Sequence, residues 1–267
     1  MTIQKYKVLK NEISTCDYDC ILSEIKTHVR KKPLLISPIA SYTLVLAYYN
    51  ARLKFILSQF DHLVPDSQWI RHTLLFIYGK RLSDRVYGPM LMLRICDLAR
   101  KNRYKIFLYG TTEETLSKLK TRIKTLCPKV SIVGLVPSEF RPLPLKEKKI
   151  LLDKISKSDA DILFIGLGSP LQEIFSYELL SLNNNSKKPL IIVPVGAAFD
   201  FISGNKSQAP KWLQDHGLEW FFRLIHEPLR LWKRYLIYGP LFLILVVDQK
   251  IRLVVQDKLK RVPYDYD

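Results

Sequence analysis

Asp161-Ile162-Leu163-Phe164-Ile165-Gly166-Leu167-Gly168-Ser169-Pro170-Leu171-Gln172-Glu173 decides the fold. An unbroken apolar run, without the polar alternation of a half-exposed strand, reads as a strand covered on both sheet faces. It ends on Gly166 and Gly168, whose missing side chains let backbone approach a phosphate, and a helix start follows whose N–H groups favour negative charge. Gln172 is placed to hydrogen-bond a sugar or phosphate; a plain tight turn explains the glycines equally well. The pattern is neither a P-loop nor a G-x-G-x-x-G fingerprint.

Similar runs lie on either side. Leu190–Gly196, Lys105–Gly110, Val130–Gly134 and Pro33–Ser37 read as strands, and Thr112 caps a helix that runs to about Leu126, before Pro128. Strands alternating with helices define an α/β fold with a parallel sheet, whose ligands sit beyond the carboxyl ends of the strands. Gly110, Gly134, Gly166, Gly168 and Gly196 are all expected at such ends. Composition changes near Ala209-Pro210, after which tryptophan, arginine and long apolar residues dominate. The expected division is an α/β core over 1–209 and a basic, helical, amphipathic appendage over 210–267.

Within that appendage Arg230 and Arg234 follow Arg223 by seven and eleven residues, nearly whole numbers of helical turns. One continuous helix would present all three on one face beside Trp220, Leu224, Leu231 and Tyr235. Such a face suits a membrane interface or a diphosphate. The longest apolar run, Tyr235–Val247, has thirteen residues, short of the roughly 20 a spanning helix needs.

The net charge of +17 on 267 residues calls for a polyanionic partner: nucleic acid, anionic lipid or phosphate-bearing substrate. No helix-turn-helix, RNP or zinc pattern accompanies the charge, so nucleic acid is not expected. The four cysteines and five histidines have no ligand spacing, and reduced thiols are expected. The N-terminus lacks the apolar core of a signal peptide, which predicts a cytoplasmic protein. Asp66, after Pro65 near a strand end, is either a helix cap or a general base. Asp159-Ala160-Asp161 matches a metal-binding pattern but precedes its strand, on the edge opposite the glycine turns, and is read as coincidence.

Tyr109-Gly110, Gly166-Leu167-Gly168-Ser169-Pro170 with Gln172-Glu173, and the block from Gly196 to Tyr235 resemble the WecG/TagA/CpsF family of bacterial glycosyltransferases. The resemblance implies a Rossmann-like catalytic core working without a metal or other cofactor. It also implies inverting transfer from a UDP-sugar to an undecaprenyl-diphosphate-linked saccharide, and an appendage held on the inner leaflet of the cell membrane. By position Asp66 matches the family's base, Arg85 an arginine near the diphosphate, and Gln172 and Asp200 nucleotide-sugar contacts. Arg223 and Arg230 match appendage arginines that reach the diphosphate, and Ser37 replaces a threonine while keeping its hydroxyl. Departures fall at Ile39, Ser67, Met90 and Ser138-Glu139-Phe140. They motivate an alternative: a catalytically impaired, membrane-bound scaffold of the same fold in a polysaccharide assembly complex.

Overall fold

The computed structural model describes residues 3–183 and 188–260; residues 261–267 of the expected appendage lie outside them. A short antiparallel hairpin of β1 (Lys5–Val8) and β2 (Asn11–Ser14), not foreseen in the sequence, opens the chain. Six parallel strands follow: β3 (Leu34–Ile39), β4 (His62–Pro65), β5 (Lys105–Gly110), β6 (Ser131–Val136), β7 (Ile162–Gly166) and β8 (Ile191–Pro194). Their order across the sheet is β4-β3-β8-β7-β5-β6.

Both faces are covered, as the unbroken apolar runs require. Leu163 and Ile165 of β7 enter one core with the helices Ser41–Tyr49, Gln68–Tyr78 and Leu171–Leu182. Ile162 and Phe164 enter the other with Tyr18–His28, Gly88–Asn102 and Glu113–Leu126. From β5 the chain crosses to β6 on one side, and from β7 to β8 on the other. The carboxyl ends of β5 and β7 therefore flank the crevice where open α/β sheets bind ligands. The strands meet there through glycine: a Cβ on Gly110 would lie 2.5 Å from the Gly166 carbonyl oxygen.

Two expectations about the sheet change. Strand β3 runs on through Pro38 and Ile39, so Ser37 lies inside it and is fully buried. Gly134 is interior to β6 rather than at its end, and a Cβ there would lie 2.2 Å from the Phe107 ring. It is a packing glycine, not a ligand-binding one.

The C-terminal segment is not one helix. Lys211–Asp215, Glu219–His226 and Pro228–Trp232 are separate, joined through a π-helical turn, Lys233–Ile237, to a long helix, Tyr238–Lys260. Glu227, ahead of Pro228, leaves the helical region (φ −136°, ψ 58°), since a proline ring disfavours a helical conformation at the preceding residue. The uniform turn count that placed three arginines on one face therefore fails. Pro240, which has no N–H to donate, follows directly on the π-helical turn, inside a helical run that is unbroken from Pro228. That helix returns to the core: Phe242, Leu245 and Val246 are buried in it. Among the described residues no helix is long and apolar enough to cross a membrane.

Gly134→Ala is expected to destabilise the fold by about 1–3 kcal/mol through overpacking against Phe107, read as a lower urea midpoint at unchanged slope.

Candidate active site

Asp66 follows β4 directly, and its backbone N–H donates to the Ile39 carbonyl at 3.1 Å. It is not the helix cap. Ser67 takes that role, its hydroxyl accepting from the Ile70 N–H, which leaves the Asp66 carboxylate free for other work. Its Oδ1 accepts a 2.9 Å hydrogen bond from the Gly88 N–H, the first residue of the helix Gly88–Asn102. Burial pushes the Asp66 carboxyl above the usual carboxylate range, against the opposing pull of Arg85 and the Gly88 N–H.

Asp66 lies on the wall of a cleft of about 470 Å³, in the size range of small-molecule sites. The glycine turns form the floor: Gly166, Gly168 and Gly196 line it, the last two with positive φ. Gln172 lines it too, although only 3% exposed, and its Oε1 has no hydrogen-bond partner. Thr111, Thr112 and Thr115 border the side reached from β5, and Phe140 and Asp200 also line the cleft. A second cavity of about 70 Å³ shares Ala40, Asp66, Arg223 and Arg234 with it.

The C-terminal segment covers the cleft with cations in two states of compensation. Arg230 is paired with Glu227 at 2.6 Å, and Lys206 with both Glu227 and Asp200 at 3.0 and 3.4 Å. Arg223 and Arg234 have no ion pair among the described residues. Phe201 supports the first guanidinium at 5.4 Å and Tyr42 the second at 5.2 Å. The Nε of Arg223 is buried without an acceptor. Partly buried guanidiniums without an ion pair, facing a cleft, are able to hold a diphosphate or another anion.

Arg223, Arg230 and Arg234 thus reach one cleft, by a broken chain path instead of a shared helix face. Arg85 does not join them. It borders only the small cavity and pairs with Glu219 at 2.6 Å, both side chains being about nine-tenths buried. It also donates to Gln214 Oε1 at 3.1 Å and, at 3.4 Å, to the Asp66 carbonyl, and it stacks over Tyr87. Its charge already has a partner, which makes it a strut between core and C-terminal segment.

Ser37 and Gly110 stand behind the cleft wall, and Gly134 is remote from it. Ile39 is buried in the core, while Met90 sits on the surface and lines neither cavity, so these departures leave the cleft wall intact. Asp161, with no exposed surface, is held by Arg30 and the Lys105 N–H at 2.8 Å, below the first residue of β7. That accounts for the Asp159-Ala160-Asp161 pattern as structural. Glu219 was not foreseen; its signal was a lone acid opening an otherwise aromatic and basic block.

The family model for the glycosyl transferase WecG/TagA/CpsF family matches residues 6–256. The chain belongs to that family and is a glycosyltransferase. It is 30% identical over 190 residues to the N-acetylglucosaminyldiphosphoundecaprenol N-acetyl-beta-D-mannosaminyltransferase of Bacillus spizizenii (strain W23), covering 71% of this chain and 70% of that one. A protein of the same name from Bacillus subtilis (strain 168) is 27% identical over 195 residues, covering 73% and 72%.

Glu219→Gln is expected to cost about 3–5 kcal/mol, because it strands a buried guanidinium. A double-mutant cycle with Arg85→Met, followed by urea denaturation, should return a coupling of at least about 1 kcal/mol.

Proposed function

We propose that this chain transfers a sugar, with inversion and without a metal ion, from a UDP-sugar to an undecaprenyl-diphosphate-linked saccharide during cell-surface polysaccharide synthesis. The observation that carries the proposal is one cleft faced by both a partly buried carboxylate, Asp66, and two guanidiniums without an ion pair among the described residues, Arg223 and Arg234. The relatives' name, an N-acetylmannosaminyl transfer to a diphosphoundecaprenol-linked N-acetylglucosamine, supports the acceptor class.

In this mechanism Asp66 takes the proton of an acceptor hydroxyl as that oxygen bonds to the anomeric carbon. The bond from that carbon to the β-phosphate oxygen breaks on the opposite side, and UDP leaves with the electron pair. Arg223 and Arg234 stabilise the charge gathering on the diphosphate, with Arg230 and Lys206 at the rim. The raised carboxyl of Asp66 makes it a stronger base than an exposed aspartate.

The site works at the cytoplasmic face of the membrane, docked through its C-terminal segment. Leu229, 93% exposed, is followed and preceded by the exposed apolar side chains of Phe221, Ile225, Trp232 and Leu236, with Lys233 over the Trp232 ring. Such surfaces enter the headgroup boundary of anionic bilayers. Docking sets the cleft against a lipid-linked acceptor.

UDP release should be measured over a panel of UDP-sugars with lipid-linked acceptor and membranes. One donor should be turned over, and Asp66→Asn should lower kcat roughly 10²- to 10⁴-fold while UDP still binds. Release with no donor despite UDP binding would favour the scaffold alternative. The acid limb of kcat/KM should lie above the ordinary carboxylate range, activity rising with pH as Asp66 loses its proton. Because the Arg85 charge pulls that carboxyl down, Arg85→Met should move the limb further up.

In vesicle co-sedimentation, Leu229→Glu with Ile225→Glu should weaken binding to phosphatidylglycerol vesicles at least tenfold, and leave UDP affinity unchanged.

A further inference from the structure

The contact of Gln172 with a nucleotide sugar follows from the family resemblance; the polarity of that contact does not. Directly behind Gln172 lies Glu173, with no exposed surface at all. Three groups converge on one of its oxygens, Oε1: the Ser169 hydroxyl at 2.8 Å, the Gln172 Nε2 at 3.0 Å and the Ser37 hydroxyl at 3.2 Å. The Gln172 Nε2 also donates to Ser169 Oγ at 3.2 Å. The two amide protons are thus spent on Glu173 and on Ser169, while Oε1, buried and unpartnered, is turned to Gly196 on the cleft floor. Gly196 keeps the space before it open: a Cβ there would come within 2.9 Å of Gln172 Oε1.

The amide cannot turn over cheaply. A flip would bring its carbonyl against the carboxyl oxygen that now accepts three hydrogen bonds, and forfeit two donated ones. A buried acceptor left without a donor is a standing cost, which a ligand recovers only by supplying an N–H or O–H. The location says which part of the ligand does so. Gly196 follows Val195, whose carbonyl lies 3.4 Å from the Cβ position of Gly88, itself 3.8 Å from Asp66 Oδ1. Through Gly196, Val195 and Gly88, successive short contacts link Gln172 to the wall that carries Asp66, the side on which the proposed base meets the sugar.

We propose that Glu173, with Ser37 and Ser169, is a positioning group that locks the Gln172 amide with its carbonyl toward the cleft, so that the site selects a hydrogen-bond donor on the transferred sugar. This rests on the glycosyltransfer reading for the ligand and on the structure alone for the lock. It also gives Ser37 its function: the hydroxyl supports the amide and never meets the substrate.

Glu173→Gln is the conservative variant, since its carbonyl can still accept the three hydrogen bonds with the new NH₂ placed where Oε2 has no partner. Glu173→Leu removes the acceptor at similar volume. The probe is UDP-N-acetylmannosamine, with analogues in which the acetamido group or the 3-, 4- or 6-hydroxyl is replaced by fluorine, which accepts but does not donate. Binding is measured by calorimetry. One analogue should bind the wild type and Glu173→Gln about tenfold more weakly than the parent, and Glu173→Leu less than threefold more weakly. An equal penalty in all three proteins, or no penalised analogue in the wild type, would overturn the proposal.

A second measurement needs no ligand. The Gln172 side-chain amide signals of ¹⁵N-labelled protein should be shifted and slow to exchange in the wild type and Glu173→Gln, and relax to free-amide values in Glu173→Leu. If the parent sugar nucleotide fails to bind the wild type, that donor is excluded, the donor panel decides the proposed function, and these signals alone decide the lock: protection upholds it, free-amide values overturn it.

Discussion

The ion pair between Arg85 and Glu219 is the contact on which the site's geometry depends. It ties the segment after Ala209 to the loop that carries Asp66, and does so where water cannot compete. With it in place, the helix Glu219–His226 holds Arg223 over the cleft. Without it, a buried guanidinium would lie beside Asp66 with only neutral partners, the Gln214 amide, the Asp66 carbonyl and the Tyr87 ring, and the cations above the cleft would lose their register with the carboxylate below. The resemblance assigned Arg85 to the ligand; its partner in the fold instead makes it the fastening.

A charge of +17 describes the whole chain and says little about any one place. What matters for anion binding is which cations lack partners after folding. Lys206 and Arg230 spend their charge on Glu227 and Asp200, whereas Arg223 and Arg234 lean on aromatic faces that leave their N–H groups free. Sequence counts all four alike, and only tertiary structure divides them.

The same limit explains what was legible beforehand. The strands and the glycine turns at β5, β7 and β8 could be read because unbroken apolar runs and glycines report local conditions. Asp66 was legible as either a cap or a base, and the capping by Ser67 removes the first of these. Ser37 was misplaced because a strand buried on both faces gives no sign of which side chains look toward a ligand. Gly134 was misplaced because a glycine needed for a neighbour's ring resembles one needed for a turn. The three arginines reached the cleft for a reason the turn count did not contain, since Pro228 and the π-helical turn each reset the phase of the chain. Glu173 carried no signal of its own: its role lies in three partners, one of them far away in sequence at Ser37.

The burial of Phe242, Leu245 and Val246 has a mechanical consequence. The stretch that covers the cleft, residues 211–237, is fastened at its near end by Glu219 and continues at its far end into a helix packed in the core. Gln249 strengthens that far anchor, accepting from the Leu9 N–H at 3.0 Å and donating to the Lys7 carbonyl at 2.8 Å. A cover fixed at both ends is a strap and not a hinged door. It can slacken or tighten, but it cannot swing clear. A long, bulky ligand must then enter sideways, beneath the strap.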